Sequence, residues 1–332
     1  MRVVVAPDKF KGTASARELT AAIVDALVAA GHDAVAAPMA DGGEGFLDVL
    51  GGANRTDTVT GPLGDPVDAP WRISRGLAVI EMAAASGLTL VGGADENDPV
   101  SASTYGTGEL ISLAVESGAR RVLVGVGGSA TTDGGLGALR ALHPTQRFRG
   151  IELVVACDVR TRFVDAADVF APQKGASAAQ VKLLHGRLER LAQVYEEETG
   201  VMVGDLEGSG AAGGLAGGLA SIGAELVSGF QLVSDEIGLD ELVEGADLVI
   251  TGEGFLDDES FDGKVLGGVA ELAHELGVPC LALVGEVVEP IPALPEGLTV
   301  MSLSEMFGAE RSMADPCWCA AQAVQLFLAE RN

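Results

Sequence analysis

The sequence predicts an α/β protein of two domains, one of them interrupted by the other. Two observations lead there. Short apolar strand-like runs alternate with amphipathic helical stretches along most of the chain, the pattern of layered α/β architecture. From about residue 56 to 90 that rhythm gives way to short alternating strands with Pro/Gly turns, as in Thr58-Val59-Thr60-Gly61-Pro62-Leu63-Gly64. At 332 residues the chain is long enough for two such domains. The expected division is 1–60 plus 245–332 for a discontinuous α/β domain, and 61–244 for an inserted mixed α/β domain.

The elements follow in order. Residues 3–6 are a short buried strand. Ser15-Ala16-Arg17-Glu18 forms a capping box, and Leu19, Ile23, Leu27 and Ala30 mark one helical face that Gly31 ends. A strand over 34–37 leads into Pro38-Met39-Ala40-Asp41-Gly42-Gly43-Glu44-Gly45. Further along, a helix is expected over 109–117 and a strand over 121–126 that runs into Gly127-Gly128-Ser129. A strand over 153–156 ends at Cys157-Asp158, and 181–198 reads as a charged, exposed helix. After the Gly/Ala-rich stretch 208–223, a strand over 247–251 precedes Gly252-Glu253-Gly254. A helix over 266–276 and a strand over 280–284 follow.

Composition narrows the function. A formal net charge of −27 argues against nucleic acid and anionic membrane as partners, since both need a basic footprint. Hydrophobic content of 48% with 46 glycines suits a packed globular enzyme with many tight turns. Four cysteines without a C-x-x-C pair, and a strand at the very start, are expected of a cytoplasmic protein with reduced thiols and no signal peptide. The longest apolar stretch, 76–94, is broken by Glu81 and glycines and is not expected to span a membrane. Monomer and homodimer are equally compatible with the sequence.

The lysines are unevenly used. Of five, Lys9, Lys11, Lys174 and Lys264 sit in polar, glycine-bearing turns, and only Lys182 falls in an ordinary helical stretch. An ammonium beside an open backbone turn suits a phosphate or carboxylate. The turn Gly127-Gly128-Ser129-Ala130-Thr131-Thr132-Asp133-Gly134-Gly135 follows a strand and opens a helix, where backbone amides and hydroxyls can cradle phosphate oxygens. Asp133 is placed there as a magnesium ligand. Asp8, Asp41, Glu44, Asp158, Glu253 and Asp257 all lie at strand ends or just beyond. Cations and magnesium on phosphates, with a carboxylate to take a hydroxyl proton, are the parts of phosphoryl transfer to an alcohol. Either Asp41 or Asp257 can be that base.

Two other readings compete. Gly125-Val126-Gly127-Gly128-Ser129-Ala130 matches G-x-G-x-x-A, with Asp158 ending the next strand, as in a dinucleotide-binding oxidoreductase. The interval to Asp158 exceeds the usual ~20 residues, and Asp133-Gly134-Gly135 is foreign to such a site. No Walker A loop, G-x-x-x-x-G-K-[ST], occurs. A small-acid-binding protein without catalysis is the other alternative.

The motifs together resemble the bacterial glycerate kinase family. They are Val5-Ala6-Pro7-Asp8-Lys9-Phe10-Lys11-Gly12, Pro38 to Gly45, Thr104-Tyr105-Gly106-Thr107-Gly108-Glu109 and Gly127 to Gly135. Ala156-Cys157-Asp158-Val159, Ala171-Pro172-Gln173-Lys174-Gly175-Ala176, Gly210 to Gly214, and Ile250-Thr251-Gly252-Glu253-Gly254 with Gly263-Lys264 complete the set. The resemblance implies ATP- and Mg2+-dependent phosphorylation of D-glycerate, with 2-phosphoglycerate favoured over 3-phosphoglycerate. It also implies a flavodoxin-like (Rossmann-like) three-layer domain formed by both termini, and an active site in the cleft beside the inserted domain. On that basis Asp41, Asp257 and Lys11 are expected to be catalytic. Asp8, Lys174, Lys264, Gly127, Gly128, Ser129, Thr131 and Glu253 are expected to bind substrate or phosphate, and Asp133 and Asp158 the metal. Three segments depart from the family pattern: 143–146 and 160–165 are shortened, and Phe255-Leu256-Asp257-Asp258-Glu259 replaces the usual Arg-x-Asp-x-Gln. Arg160 and Arg162 are candidates to compensate for the arginine missing there.

Overall fold

A computed structural model describes residues 1–257, 260–261, 263–288 and 294–329. Its strands are β1 (Arg2–Val5), β2 (Asp33–Ala36), β3 (Arg55–Thr60), β4 (Pro66–Ser74), β5 (Leu77–Glu81) and β6 (Arg121–Gly125). They continue with β7 (Glu152–Ala156), β8 (Glu225–Val227), β9 (Leu248–Leu256), β10 (Cys280–Val287) and β11 (Leu298–Ser302). By its contacts the chain divides into Met1–Asp41 with Phe230–Asn332, and Gly42–Gly229. The discontinuous arrangement is therefore present, but both crossings come earlier than 60/61 and 244/245. β3 pairs along its whole length with β4, from Arg55 opposite Trp71 to Thr60 opposite Pro66, and so belongs to the inserted unit. The regular alternation around 56–60 marked the change of sheet a few residues late.

The terminal unit holds a parallel sheet in the order β11-β10-β9-β1-β2. In sequence order this is 2-1-3-4-5, the flavodoxin-like arrangement. The helices Ala16–Ala29 and Pro316–Ala329 cover one face, where Leu19, Ile23, Leu27, Val324 and Phe327 pack on Val3, Val5, Ile250 and Leu283. The helix Val265–Glu275 covers the other through Leu266, which meets Leu256, Ala282 and Val284. Apolar residues on both faces explain the unbroken Val/Ile/Leu runs of the strands. Ser15 caps the first helix as its sequence requires: the Glu18 amide donates to the Ser15 hydroxyl, and the Ser15 amide donates to the Glu18 carboxylate.

The inserted unit holds a mixed sheet, β3-β4-β5-β6-β7-β8, antiparallel from β3 to β5 and parallel from β5 to β8. Trp71, Ile80, Met82, Leu110, Ile111, Val122, Val124, Leu215 and Leu219 form its main core. The helix Tyr105–Glu116 begins four residues before the expected 109. Positions 106 and 108 must be glycine because a side chain there has no room: a Cβ on Gly106 would meet the Thr60 carbonyl oxygen, and one on Gly108 would lie 2.5 Å from the Ala138 carbonyl oxygen. Close packing, which local propensity cannot register, overrides the poor helix preference of glycine.

Candidate active-site residues

β9 carries the central departure from the expected elements. It runs on to Leu256 instead of ending at Thr251, because Gly252, Glu253, Phe255 and Leu256 stay in register with Leu283, Val284, Glu286 and Val287 of β10. Glu253 is thereby fixed on a strand rather than carried on a loop. β1 and β9 flank the point where the strand order reverses, the usual ligand position at the carboxyl ends of an open α/β sheet. Asp8 follows β1, and Asp41 follows β2.

Four carboxylates and two ammonium groups gather there. The Lys9 Nζ lies 3.4 Å from both Asp8 oxygens and 3.3 Å from Asp41 Oδ1, and the Lys9 amide donates to Asp8 Oδ1 at 2.7 Å. Burial, opposed by the Lys9 ammonium and helped by the Asp41 carboxylate, pushes the Asp8 carboxyl up to about 6. Lys9 is held above its ordinary value: burial works against its charge, but Asp41 and Asp8 outweigh that. Lys264 stands 3.7 Å from Asp257. Glu253 is 8% exposed, and its Oε1 is buried with no hydrogen-bond partner. Burial pushes its carboxyl up to about 7; the Ser260 hydroxyl and Lys264 pull the other way, and Asp8 and Asp257 add to the rise. A carboxylate poised near neutrality suits proton transfer and is ill suited to holding a phosphate.

Lys11 is exposed in the turn that closes with Phe10 opposite Ala14. In the sequence Lys9 stands with the glycine-flanked lysines as a pointer to an anion but carries no individual role, and Ser260 is not singled out. Lys9 had a usable signal, since it directly follows Asp8 in a Gly-bearing turn; Ser260 had none. Asp258 and Glu259 lie outside the described residues.

In the inserted unit the structure brings Gly127, Gly128, Ser129, Thr131, Asp133 and Lys174 together. Gly127 cannot carry a side chain, because its Cβ would lie 2.5 Å from the Gly43 Cα, and Gly128 has φ +71°. Lys174, expected to face an anion, is instead 3% exposed. Its Nζ donates to the Ser129 hydroxyl and to the Thr131 carbonyl, each at 2.7 Å, and lies 6.0 Å over the Phe170 ring. Burial pulls its pKa down to about 7, against the attraction of Asp133. Lys174 thus clamps the glycine turn from behind. Around the same turn, Asn97 donates to the carbonyls of Ala130 and Lys174, while Asn97 Oδ1, Thr131 Oγ1 and Thr132 Oγ1 are buried without partners. Orphaned buried acceptors and hydroxyls are costly to fold and mark a place where a ligand or water completes the bonding.

Asp133 does not have the expected metal-ligating geometry. Its carboxylate accepts the Thr104 amide (2.9 Å) and hydroxyl (2.9 and 3.1 Å), and the amides of Gly135 and Gly137 (3.1 Å each). Its lone pairs fasten the turn to the helix Tyr105–Glu116. The helix Leu136–Leu142 starts directly after this clasp, with Gly135 as its N-cap, so the turn opens a helix as the sequence suggested, though one of only seven residues. Asp133→Asn turns an NH2 toward N–H donors and is expected to cost about 1–3 kcal/mol in urea unfolding, where the loss of a mere metal ligand would leave the free protein's stability intact. Asp158, the other expected metal ligand, accepts the Gly229 amide at 2.8 Å and the Ser228 hydroxyl at 3.4 Å. Arg160 pairs with Glu207 on the surface, which gives no support to a compensating role.

A flavodoxin-like sheet with carboxylates and lysines at its switch point, and a glycine turn backed by buried hydroxyls, defines the class: an α/β phosphotransferase. The chain belongs to the glycerate kinase family, whose model matches residues 3–144 and 143–317. Glycerate 2-kinase of Escherichia coli K12 is 40% identical over 88% of this chain and 87% of its own length. Glycerate kinase of Halalkalibacterium halodurans is 39% identical over 89% and 88%. A solved structure provisionally named glycerate kinase 2, from Salmonella typhimurium LT2, matches 100% of this chain and 99% of its own with TM-score 0.81 and 31% identity. Among the described residues no helix is long and apolar enough to cross a membrane.

Proposed function

We propose that this protein transfers the γ-phosphoryl group of ATP to D-glycerate in the cytoplasm, with 2-phosphoglycerate as the product. Its family membership and the name of the 40% identical E. coli relative, glycerate 2-kinase, support the substrate and the position. The observation that carries the chemistry is Glu253: a buried carboxyl near neutrality, with an unpartnered oxygen, on a strand at the switch point. Asp8 is the weaker candidate because both its oxygens face Lys9. Glu253 therefore replaces Asp41 and Asp257 as the preferred base.

In this reading the glycerate C2 hydroxyl gives its proton to Glu253 as its oxygen forms the new bond to phosphorus. The bond from phosphorus to the bridging oxygen breaks, ADP leaves, and Glu253 returns the proton to solvent. Lys11 and Lys264 neutralise the substrate carboxylate and the transferring group. Within the inserted unit by itself, the amides of 127–131 and the hydroxyls of Ser129 and Thr131 offer an anion-binding turn, which Lys174 fixes from behind. Among the described residues no three His, Cys, Asp or Glu side chains form a metal cage. Magnesium of the kind held by one or two carboxylates and phosphate oxygens fits Asp8 and Asp41, hard donors that already converge on one cation, and it would neutralise phosphate charge.

Lys11→Ala tests the substrate end. We expect kcat/KM to fall at least about tenfold, with an unchanged melting temperature because the side chain is exposed. Wild-type kinetics in the variant would remove Lys11 from the site.

A further inference from the structure

A second feature of the inserted unit adjoins the glycine turn. A cavity of about 570 Å³ opens between the segment 100–103, the helix Leu136–Leu142 and the long helix Ala178–Thr199. Val100, Ala102, Leu136 and Leu191 supply apolar walls, and Arg140, Arg187 and Arg190 also line it. The three arginines bring positive charge to the cavity of a chain of formal net charge −27. Arg190 is paired with Glu197 at 3.7 Å and Asp98 interacts with Arg187, which leaves Arg140 as the least engaged of the three among the described residues. Asp133 is the one acid among the lining residues, and its carboxylate is occupied by Thr104, Gly135 and Gly137.

Two details separate this cavity from an ordinary surface dent. Arg187 Nη1 donates to the Val100 carbonyl at 2.9 Å, so the helix Ala178–Thr199 is tied to the opposite wall. Thr132 lines the cavity although it is only 1% exposed, and its Oγ1 has no hydrogen-bond partner. A buried hydroxyl without a protein partner marks a place where a ligand or water completes the bonding. Thr132 also directly continues the turn 127–131, so whatever fills the cavity abuts the phosphate-holding segment.

We propose that this cavity binds the purine nucleotide, with the flat base on the apolar walls and the arginines serving its anionic part. The volume falls in the range of small-molecule sites, and guanidinium groups both stack on aromatic rings and grip phosphate. The assignment rests on the kinase reading only in taking the ligand to be the phosphoryl donor.

The test uses ADP as the probe, titrated by calorimetry into the full-length protein and into three variants. Arg140→Ala removes an exposed guanidinium. It is expected to weaken ADP about tenfold and to raise the KM for ATP in proportion, with the KM for D-glycerate unchanged. Leu136→Trp fills the cavity and is expected to abolish ADP binding. Thr132→Val is expected to weaken ADP while raising the melting temperature of the free protein, a pairing that a purely structural hydroxyl does not give. ADP binding unchanged in Arg140→Ala and Leu136→Trp, both folded by circular dichroism, overturns the site even if the wild type makes phosphoglycerate. Loss of ADP binding in the variants of a wild type that makes no phosphoglycerate keeps the site and removes the kinase reading. Failure of the wild type to bind ADP removes the site.

Discussion

Glu253→Gln is expected to lower kcat by about two to four orders of magnitude and, at the same time, to make the protein more stable above neutral pH. The two effects have one cause. The Glu253 carboxyl is pushed from its ordinary 4.5 to about 7, chiefly by burial. Between those values the folded protein holds a proton that the unfolded chain has released, so wild-type stability falls as pH rises through the window. Above 7 the cost is present in full, on the order of 3 kcal/mol. Glutamine keeps the shape without the charge and escapes that cost. Urea unfolding at pH 5 and pH 8 should therefore show the variant's advantage mainly at pH 8. For the wild type, kcat should rise as pH climbs through about 7, and the Gln variant should lose that step. Near-normal turnover in Glu253→Gln, with a large loss in Asp8→Asn, would transfer the base to Asp8.

Gly213→Ala is the second large effect expected. The chain at Ala212, Gly213 and Gly214 is left-handed, at φ 53°, 65° and 91°, just where the buried helix Ala211–Ser221 begins. A Cβ on Gly213 would lie 2.1 Å from the Thr131 carbonyl oxygen and 2.6 Å from the Thr132 Cα, both backbone atoms that cannot rotate away. The Gly213 carbonyl also accepts the Gly134 amide at 3.0 Å. Left-handed strain of about 1–2 kcal/mol adds to an overpacking cost of about 1–3 kcal/mol. The result should be a protein destabilised by several kcal/mol, with the turn around Thr131 and Thr132 displaced. Gly186→Ala is the matched control: Gly186 sits within the helix Ala178–Thr199 with nothing within 4 Å of a new Cβ. It should gain up to about 1 kcal/mol. Equal effects from the two substitutions would show that the close approach of Gly213 to Thr131 carries no weight.

The residues that local pattern could reveal were legible. The Ser15–Glu18 capping box, the apolar stripe Leu19, Ile23 and Leu27, and the buried strand after Met1 needed only spacing to be read. The glycine turn 127–135 was likewise visible, because glycine beside hydroxyls has few structural uses. What escaped depended on partners distant in sequence. Asp133 looks like a metal ligand until Thr104 is seen to occupy it. Lys174 looks like a phosphate hook until burial turns it inward onto Ser129. Glu253 was noticed for its motif and assigned to substrate or phosphate binding, because the rise of its carboxyl comes from burial, with Asp8 at the far end of the chain adding to it. The unit boundary slipped for a similar reason: β3 looks the same whichever sheet it joins, and only its pairing with β4 decides.

The most direct test of the proposed function is a reaction of the purified protein with ATP, magnesium and D-glycerate, followed by phosphorus NMR. The proposed chemistry requires ADP and 2-phosphoglycerate to grow together, one for one. D-glycerate that binds by calorimetry while ATP remains unconsumed would contradict it, and would leave a small-acid-binding protein on a kinase scaffold.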